Sequence, residues 1–306
     1  MVWTYLGPPE TQRPLPEFEY NILPPSHVHV SKRFQECHFS QGMDGDLDFS
    51  HLPFLHRSIL FGQTENAPGG GDEGNNLLET LSARYEIGQT PYGLAICSVK
   101  PNDEHTNGWW IGHWALPWFT FIPAFRGDGP LAGHAWVPID DQHTYAYAFV
   151  WHPTRPIDMD NPADHVLINS PFSFYSDCEP GSYQPIHTKR NDYVESDWPL
   201  ARNRIDRMRS FQDQDLAITE SMGGVFDRTK EHLGAADTQL IQQRAFLAAA
   251  ARDLRKGIEP PGLDPASYRF RGLGLNLPSS VSSWKEAAEA AGRHIVADPE
   301  SFIASV

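Results

Sequence analysis

Between Leu78 and Pro153 apolar residues recur at every second position, and no other feature of the 306-residue chain limits its fold as tightly. Leu81/Ala83/Tyr85, Tyr92/Leu94/Ile96, the run Trp109-Trp110-Ile111-Gly112-His113-Trp114, Ala135/Val137 and Tyr145/Tyr147/Phe149 each put bulky groups on one side of an extended backbone. Turn-forming clusters divide them: Thr90-Pro91-Tyr92-Gly93, Pro101-Asn102-Asp103, Gly127-Asp128-Gly129-Pro130 and Asp140-Asp141. The intervals are those of hairpins, so an antiparallel meander is expected, each strand pairing with its chain neighbours.

Helical periodicity takes over later, across 201–222 and 238–256 and more weakly across 283–294. Asp237 is placed to cap the second of these helices and Gly257 to stop it. Strands first and helices after predict an α+β domain, a curved antiparallel sheet with long C-terminal helices on one face. Ahead of it, Pro8, Pro9, Pro14, Pro16, Pro24 and Pro25 make the opening 25 residues an extended connector with little room for helix. Ser26–Val30 reads as a short strand, Asn66–Asn76 as a glycine-rich loop with nothing to bury, and 153–199 as a proline-rich crossing.

Charge and cysteine content narrow the function. With 24 Lys+Arg against 39 Asp+Glu the formal net charge is −15, which argues against nucleic acid and anionic membrane surfaces as partners. Cys37, Cys97 and Cys178 are too few and too scattered for a disulfide scaffold, a CxxC zinc site or a four-cysteine iron–sulfur cluster. The N-terminus lacks a signal-peptide pattern, and the most apolar stretch, 109–125, is broken by His113, Pro117 and Pro123, so a cytoplasmic chain without a membrane span is expected.

The segment Asp48-Phe-Ser-His51-Leu-Pro-Phe-Leu-His56 carries the chemistry: a carboxylate three residues before one imidazole, and a second imidazole five further on. Random placement would produce about 0.05 such matches in a chain of this composition. On a helix Asp48 lies one turn from His51, close enough to accept from one ring nitrogen and leave the other for a metal. His51 and His56 would stand about 140° apart on an unbroken helix, so Pro53 between them is expected to distort or end it. A third ligand is sought on the later helix. Asp215 projects with Phe211, Ile218 and Met222, Asp213 on the opposite side, and a carboxylate aimed at a core needs a partner or a metal. Two histidines and one carboxylate form the facial triad of non-haem Fe(II) oxygenases, although a capping or salt-bridging Asp215 is an equally ordinary outcome.

Other residues compete. His27 and His29 share one strand face as in a cupin metal site, without a carboxylate at the expected spacing. Trp109, Trp110, Trp114 and Trp118 suit either an aromatic pocket or the core, and Arg84 either a substrate carboxylate or solvent.

Several segments together resemble the catalytic portion of the large subunit of Rieske-type aromatic-ring-hydroxylating oxygenases, in the phthalate 4,5-dioxygenase group that includes aryl-ether O-demethylases. They are Val2-Trp-Thr-Tyr-Leu-Gly-Pro-Pro9; Gly45-Asp-Leu-Asp48 through His51 to His56; Trp136-Val-Pro-Ile-Asp-Asp141; and Gln214-Asp215 through Glu220 to Gly234. The resemblance implies a helix-grip (START/Bet v 1-like) domain over 26–306, preceded in 1–25 by the end of a Rieske domain and a connector. It implies that His51, His56 and Asp215 hold a mononuclear Fe(II), and that Asp48 links His51 to a Rieske-cluster histidine of a neighbouring subunit in a homotrimer. The implied reaction uses O2 and electrons from NAD(P)H, passed through a reductase and a [2Fe-2S] Rieske centre, to dihydroxylate an aromatic acid or to O-demethylate an aryl ether.

Two departures stand out. His38 occupies the family's Asn position in Cys37-His-Phe-Ser-Gln41, and no cysteine has a histidine at the C-x-H or C-x2-H spacing of a Rieske cluster. The cluster is therefore expected from elsewhere, and a non-catalytic helix-grip binding protein for an aromatic or hydrophobic acid is the alternative.

Overall fold

The alternating runs lie on one antiparallel sheet. The computed structural model describes residues 4–57, 59, 83–123, 129–170, 172–191, 208 and 210–292. In chain order these form a one-turn helix α1 (Glu19–Ile22), β1 (Val28–Gln35), α2 (Phe39–Leu47), α3 (Leu52–Leu55), β2 (Arg84–Thr90), β3 (Gly93–Pro101), β4 (Thr106–Ala115) and β5 (Phe119–Ile122). There follow β6 (Leu131–Pro138), β7 (Thr144–Trp151), α4 (Pro162–Ile168), α5 (Phe211–Ser221), α6 (Thr238–Leu254), β8 (Leu273–Pro278) and α7 (Trp284–Ala291). The glycine-rich segment 66–76, the start of the first alternating run, residues 192–199 of the crossing and 201–207 of the first expected helix lie outside the described residues.

The strand order is β1-β7-β6-β5-β4-β3-β2, with β8 joined to β4, so the meander runs unbroken from β2 to β7. β1 returns to the free edge of β7, pairing from Val28 with Trp151 to Gln35 with Thr144, well beyond the short strand expected at 26–30. β5 and β8 had no counterpart in the sequence reading. They share one edge of β4, β5 taking His113–Ala115 and β8 taking Thr106–Ile111. The division falls at Gly112, where a Cβ would stand 2.7 Å from Phe49 Cζ and 2.9 Å from the Phe121 carbonyl oxygen. Only glycine fits so crowded a point without displacing its neighbours.

Both faces of the sheet are covered. Trp114, Trp136, Leu94 and Ile96 pack against Met43 and Leu47 of α2 and Leu240 of α6. On the other face Trp109 and Ile111 meet Ala287 and Ala291 of α7. The long helix α6 thus takes the expected place, while the short α7 caps the reverse side. Asp237 does stand at the N-cap of α6, but its carboxylate accepts the Gly234 N–H at 2.7 Å and leaves the helix's first amides alone. Gly257, at φ +79°, follows the helix end and donates to Leu254 O at 2.9 Å.

The proline-rich opening segment has no helix longer than one turn among its described residues, yet it is anchored. Phe18 and Tyr20 are buried in an aromatic cluster with Phe121, Phe149, Trp151 and Phe270. Glu19 between them is buried as well, accepting Arg271 Nε at 2.8 Å and Trp151 Nε1 at 3.1 Å. No helix of the described residues is long and apolar enough to cross a membrane.

Candidate metal centre

The Cys37–His56 segment folds into two helices separated by a turn. His38 caps the first: its Nδ1 accepts the Ser40 N–H at 3.3 Å, the service an Asn gives at that position, so its replacement of the family's Asn costs little. α2 then lies flat on β6, with Gly42 so near the Trp136 ring that a Cβ would meet Cζ3 at 2.2 Å.

Leu47 is the last residue of α2, and the expected shared helix for Asp48 and His51 does not form. In the turn that replaces it, Asp48 Oδ1 accepts the Ser50 N–H at 2.9 Å, while the Asp48 backbone carbonyl accepts from His51 Nδ1. An Asp side chain turns readily onto amides two residues ahead, which diverts this carboxylate from the imidazole. Pro53 also acts differently from expectation. It occupies the first turn of α3, where its missing N–H is not needed, so it starts this helix where it was expected to end one. His51 and His56 stand at the two ends of that single turn, and their rings converge across it.

Both rings are fixed from behind. His51 Nδ1 donates to the Asp48 carbonyl, and His56 Nδ1 donates to Gln214 Oε1 at 2.8 Å. Those contacts turn each Nε2 toward the other ring, and the two Nε2 atoms lie 3.1 Å apart. The His56 ring is further held by stacking on Phe211, centroids 4.1 Å apart.

Asp215 completes the set from α5, its Oδ1 3.2 Å from His56 Nε2 and 3.7 Å from His51 Nε2. Burial alone would push this carboxyl up; the His56 and His51 imidazoles and Arg33 outweigh it and hold the group below the ordinary carboxylate range. The projection that singled out Asp215 treated α5 as one-sided, and it is not: Gln212, Asp213, Gln214, Leu216 and Ala217 are all buried. Asp213 is spent on His187, whose Nδ1 lies 3.0 Å from its Oδ2.

The clamp between α5 and α2 is Gln41, missed in the sequence reading. Its amide donates to Thr219 O and Gly223 O, both at 2.9 Å, and its Oε1 accepts the Phe226 N–H at 2.9 Å. Arg228, in the turn beyond α5, and Arg244, on α6, tie their own segments to α2, reaching Asp44 Oδ2 at 3.0 and 2.6 Å. The Cys37–Gln41 and Glu220–Gly234 motifs are therefore two halves of one joint.

A divalent first-row metal bound at about 2.1 Å by ligands at right angles holds them about 3 Å apart. Two of the three donor separations, 3.1 and 3.2 Å, match that spacing and the third, 3.7 Å, is longer, while two imidazoles with one carboxylate match the donor chemistry of Fe(II). Among the described residues this is the one group of three or more histidine, cysteine or acidic side chains disposed to hold an ion. His27 and His29 do not form another: His27 Nδ1 lies 3.1 Å from the His152 carbonyl oxygen, and His29 packs edge-on against Tyr175.

The donors open onto a cleft with Phe49, Trp110, Trp136, Phe174 and Phe211 among its walls. Of the four tryptophans considered for a pocket, Trp110 lines it; Trp109 and Trp114 are core, and Trp118 packs beside the two main clusters. Arg84 is outside, paired with Glu86. Arg33, Asp46 and His134, none of them singled out in the sequence, are inside. Asp46 had one signal, its place two residues before Asp48 in the same motif.

Because Gln214 alone sets the proton on His56, replacing it with Leu should lower metal affinity by about 10–100-fold while the fold persists. Titration with a competing chelator, with far-ultraviolet circular dichroism as the control, reads the effect; unchanged affinity would remove Gln214 from the centre.

The chain is 25% identical over 299 residues to the 3-chlorobenzoate-3,4-dioxygenase oxygenase subunit of Comamonas testosteroni, covering 94% of this chain and 68% of that one. It is 26% identical over 276 residues to the phthalate 4,5-dioxygenase oxygenase subunit of Pseudomonas putida, covering 84% of this chain and 58% of that one. Among solved structures, dicamba monooxygenase bound to dicamba superposes with a TM-score of 0.45 at 11% identity, over 82% of this chain and 66% of that one. The family described as LigXa C-terminal domain like matches residues 4–268, and the chain belongs to it, a family of Rieske oxygenase catalytic domains.

Proposed function

We propose that the chain is the catalytic component of an aromatic-ring oxygenase, with His51, His56 and Asp215 as the ligands of a mononuclear Fe(II). The observation that carries this reading is the convergence of two Nε2 atoms and one carboxylate oxygen, 3.1–3.7 Å apart, at an aromatic-walled cleft. When bound, the iron would supply O2 activation, with electrons arriving from NAD(P)H through a reductase and a [2Fe-2S] Rieske centre.

The protein's own part is positioning. Asp48 O and Gln214 Oε1 accept from the two Nδ1 atoms and so turn each Nε2 toward the metal position, where Asp215 is held below the ordinary carboxylate range. Phe49, Trp110 and Phe174 offer flat apolar surface to an aromatic ring and keep bulk water from it. Dihydroxylation adds both oxygen atoms of O2, two electrons and two protons across one ring bond. O-demethylation uses the same inputs, one oxygen leaving as water and the methyl carbon as formaldehyde. Asp48, half-buried beside the centre, is the proposed relay from a Rieske-cluster histidine of a neighbouring subunit in a homotrimer. Segment 1–25 fits the end of a Rieske domain with its connector, and a cytoplasmic setting suits the sparse cysteines.

Anaerobic loading with Fe(II), chemical reduction and one exposure to O2 with 3-chlorobenzoate or an aryl methyl ether is expected to release oxygenated product, up to about one per iron in a single turnover. A chain that binds aromatic acids but retains no iron would leave the binding-protein reading in its place.

A further inference from the structure

Arg33, on β1, is 3% exposed, lines the cleft, and has a buried Nε with no hydrogen-bond partner. Its guanidinium carbon sits 5.5 Å from the centre of the Trp136 ring, a stacking contact that orients the group without satisfying its donors. A guanidinium cannot shed its charge as a buried lysine can, so burying it without an anion is costly.

Two carboxylates line the same cleft, and neither bonds to Arg33. Asp46 Oδ2 is engaged by Thr120 Oγ1 at 2.5 Å, His134 Nδ1 at 2.8 Å and Trp136 Nε1 at 2.8 Å. Asp215 faces the two imidazoles. The other buried polar atoms without partners on the cleft wall are Gln35 Oε1, Gln212 Oε1 and His134 Nε2, and these are acceptors once His134 gives its Nδ1 proton to Asp46. An acid group entering the cleft is repelled by them and finds its open donors at Arg33.

The charge balance points the same way. Arg33 against Asp46 and Asp215 leaves one negative charge, and a divalent metal at the His51–His56–Asp215 set turns this into one positive charge. A single carboxylate then neutralises the cleft.

We propose that Arg33 is the specificity-determining residue of this cleft, binding the carboxylate of a monoanionic, benzoate-type ligand and discriminating against neutral isosteres. The proposal rests on reading the cleft as the substrate site. Trp110 and Trp136 line it, so quenching of tryptophan fluorescence reports binding of benzoate and of benzamide, its neutral counterpart. With Fe(II) loaded anaerobically, the wild-type chain should prefer benzoate by about tenfold or more, the scale of a hydrogen bond to a charged group. Arg33→Met and Arg33→Gln should each bring the two ligands to within about twofold, and Arg33→Lys should still favour benzoate. Should one neutral variant fail to fold, the other decides. No wild-type preference, or a preference kept in either neutral variant, overturns the assignment. Iron measured on the same samples separates the two readings: bound iron without benzoate preference sinks the role of Arg33 alone, and benzoate preference without retained iron sinks the oxygenase alone.

Discussion

His56→Ala, loaded anaerobically with Fe(II) and desalted, is expected to retain less than about a tenth of an iron per chain, against about one for the wild type. Three ligands are the minimum that hold such an ion against water, and His56, 1% exposed in its side chain, cannot be replaced by a solvent-facing neighbour. Asp215→Ala should behave alike, whereas His29→Ala should keep its iron, because His29 lies exposed on the edge strand against Tyr175. Colorimetric iron determination beside circular dichroism distinguishes loss of metal from loss of fold. Full retention by His56→Ala, or loss from His29→Ala, would move the centre elsewhere and return the cupin-like alternative to consideration.

Arg271→Met should produce the largest loss of stability. The Glu19 side chain is fully buried and holds its charge against Arg271, with Trp151 Nε1 as its other hydrogen-bond donor. Removing the cation strands a carboxylate among Phe18, Tyr20 and Phe121, which costs about 3–5 kcal/mol. At roughly 2–4 °C per kcal/mol for a domain of comparable size, the melting temperature should fall by on the order of 10 °C. Pairing the change with Glu19→Gln should recover much of the loss, since a neutral amide is far cheaper to bury. Urea unfolding of the single and double variants tests both statements; a single variant within about 1 kcal/mol of wild type would show that the pair carries no such strain.

Period two made the sheet legible because successive residues of a strand point to opposite faces, so the bulky Tyr145, Tyr147 and Phe149 share one face while the small Ala146 and Ala148 are buried on the other. β5 was not legible: four residues span too little chain to show a period. β8 was missed although Leu273, Leu275 and Leu277 alternate, because Gly272 and Gly274 among them suggest a loop. Spacing brought His51 and His56 forward as metal ligands, but local geometry was misread at Asp48 and Pro53 because a helix was assumed to run through both. Asp215 was chosen on a one-sided view of α5, and the helix is buried nearly all round; its adjacency to the imidazoles goes with Gln41 tying α5 to α2. Arg33 and His134 could not be found from sequence. A buried charge looks the same as a solvated one until the strands that enclose it are in place.

The ligands proposed for the centre come from chain segments about 160 residues apart, two from the ends of α3 and one from α5. An ion seated between them is therefore a removable cross-link across a very long loop, of the kind whose closure takes most freedom from an unfolded chain. Metal supply and folding are then coupled in both directions: every tenfold rise in free metal above the dissociation constant adds about 1.4 kcal/mol to the native state.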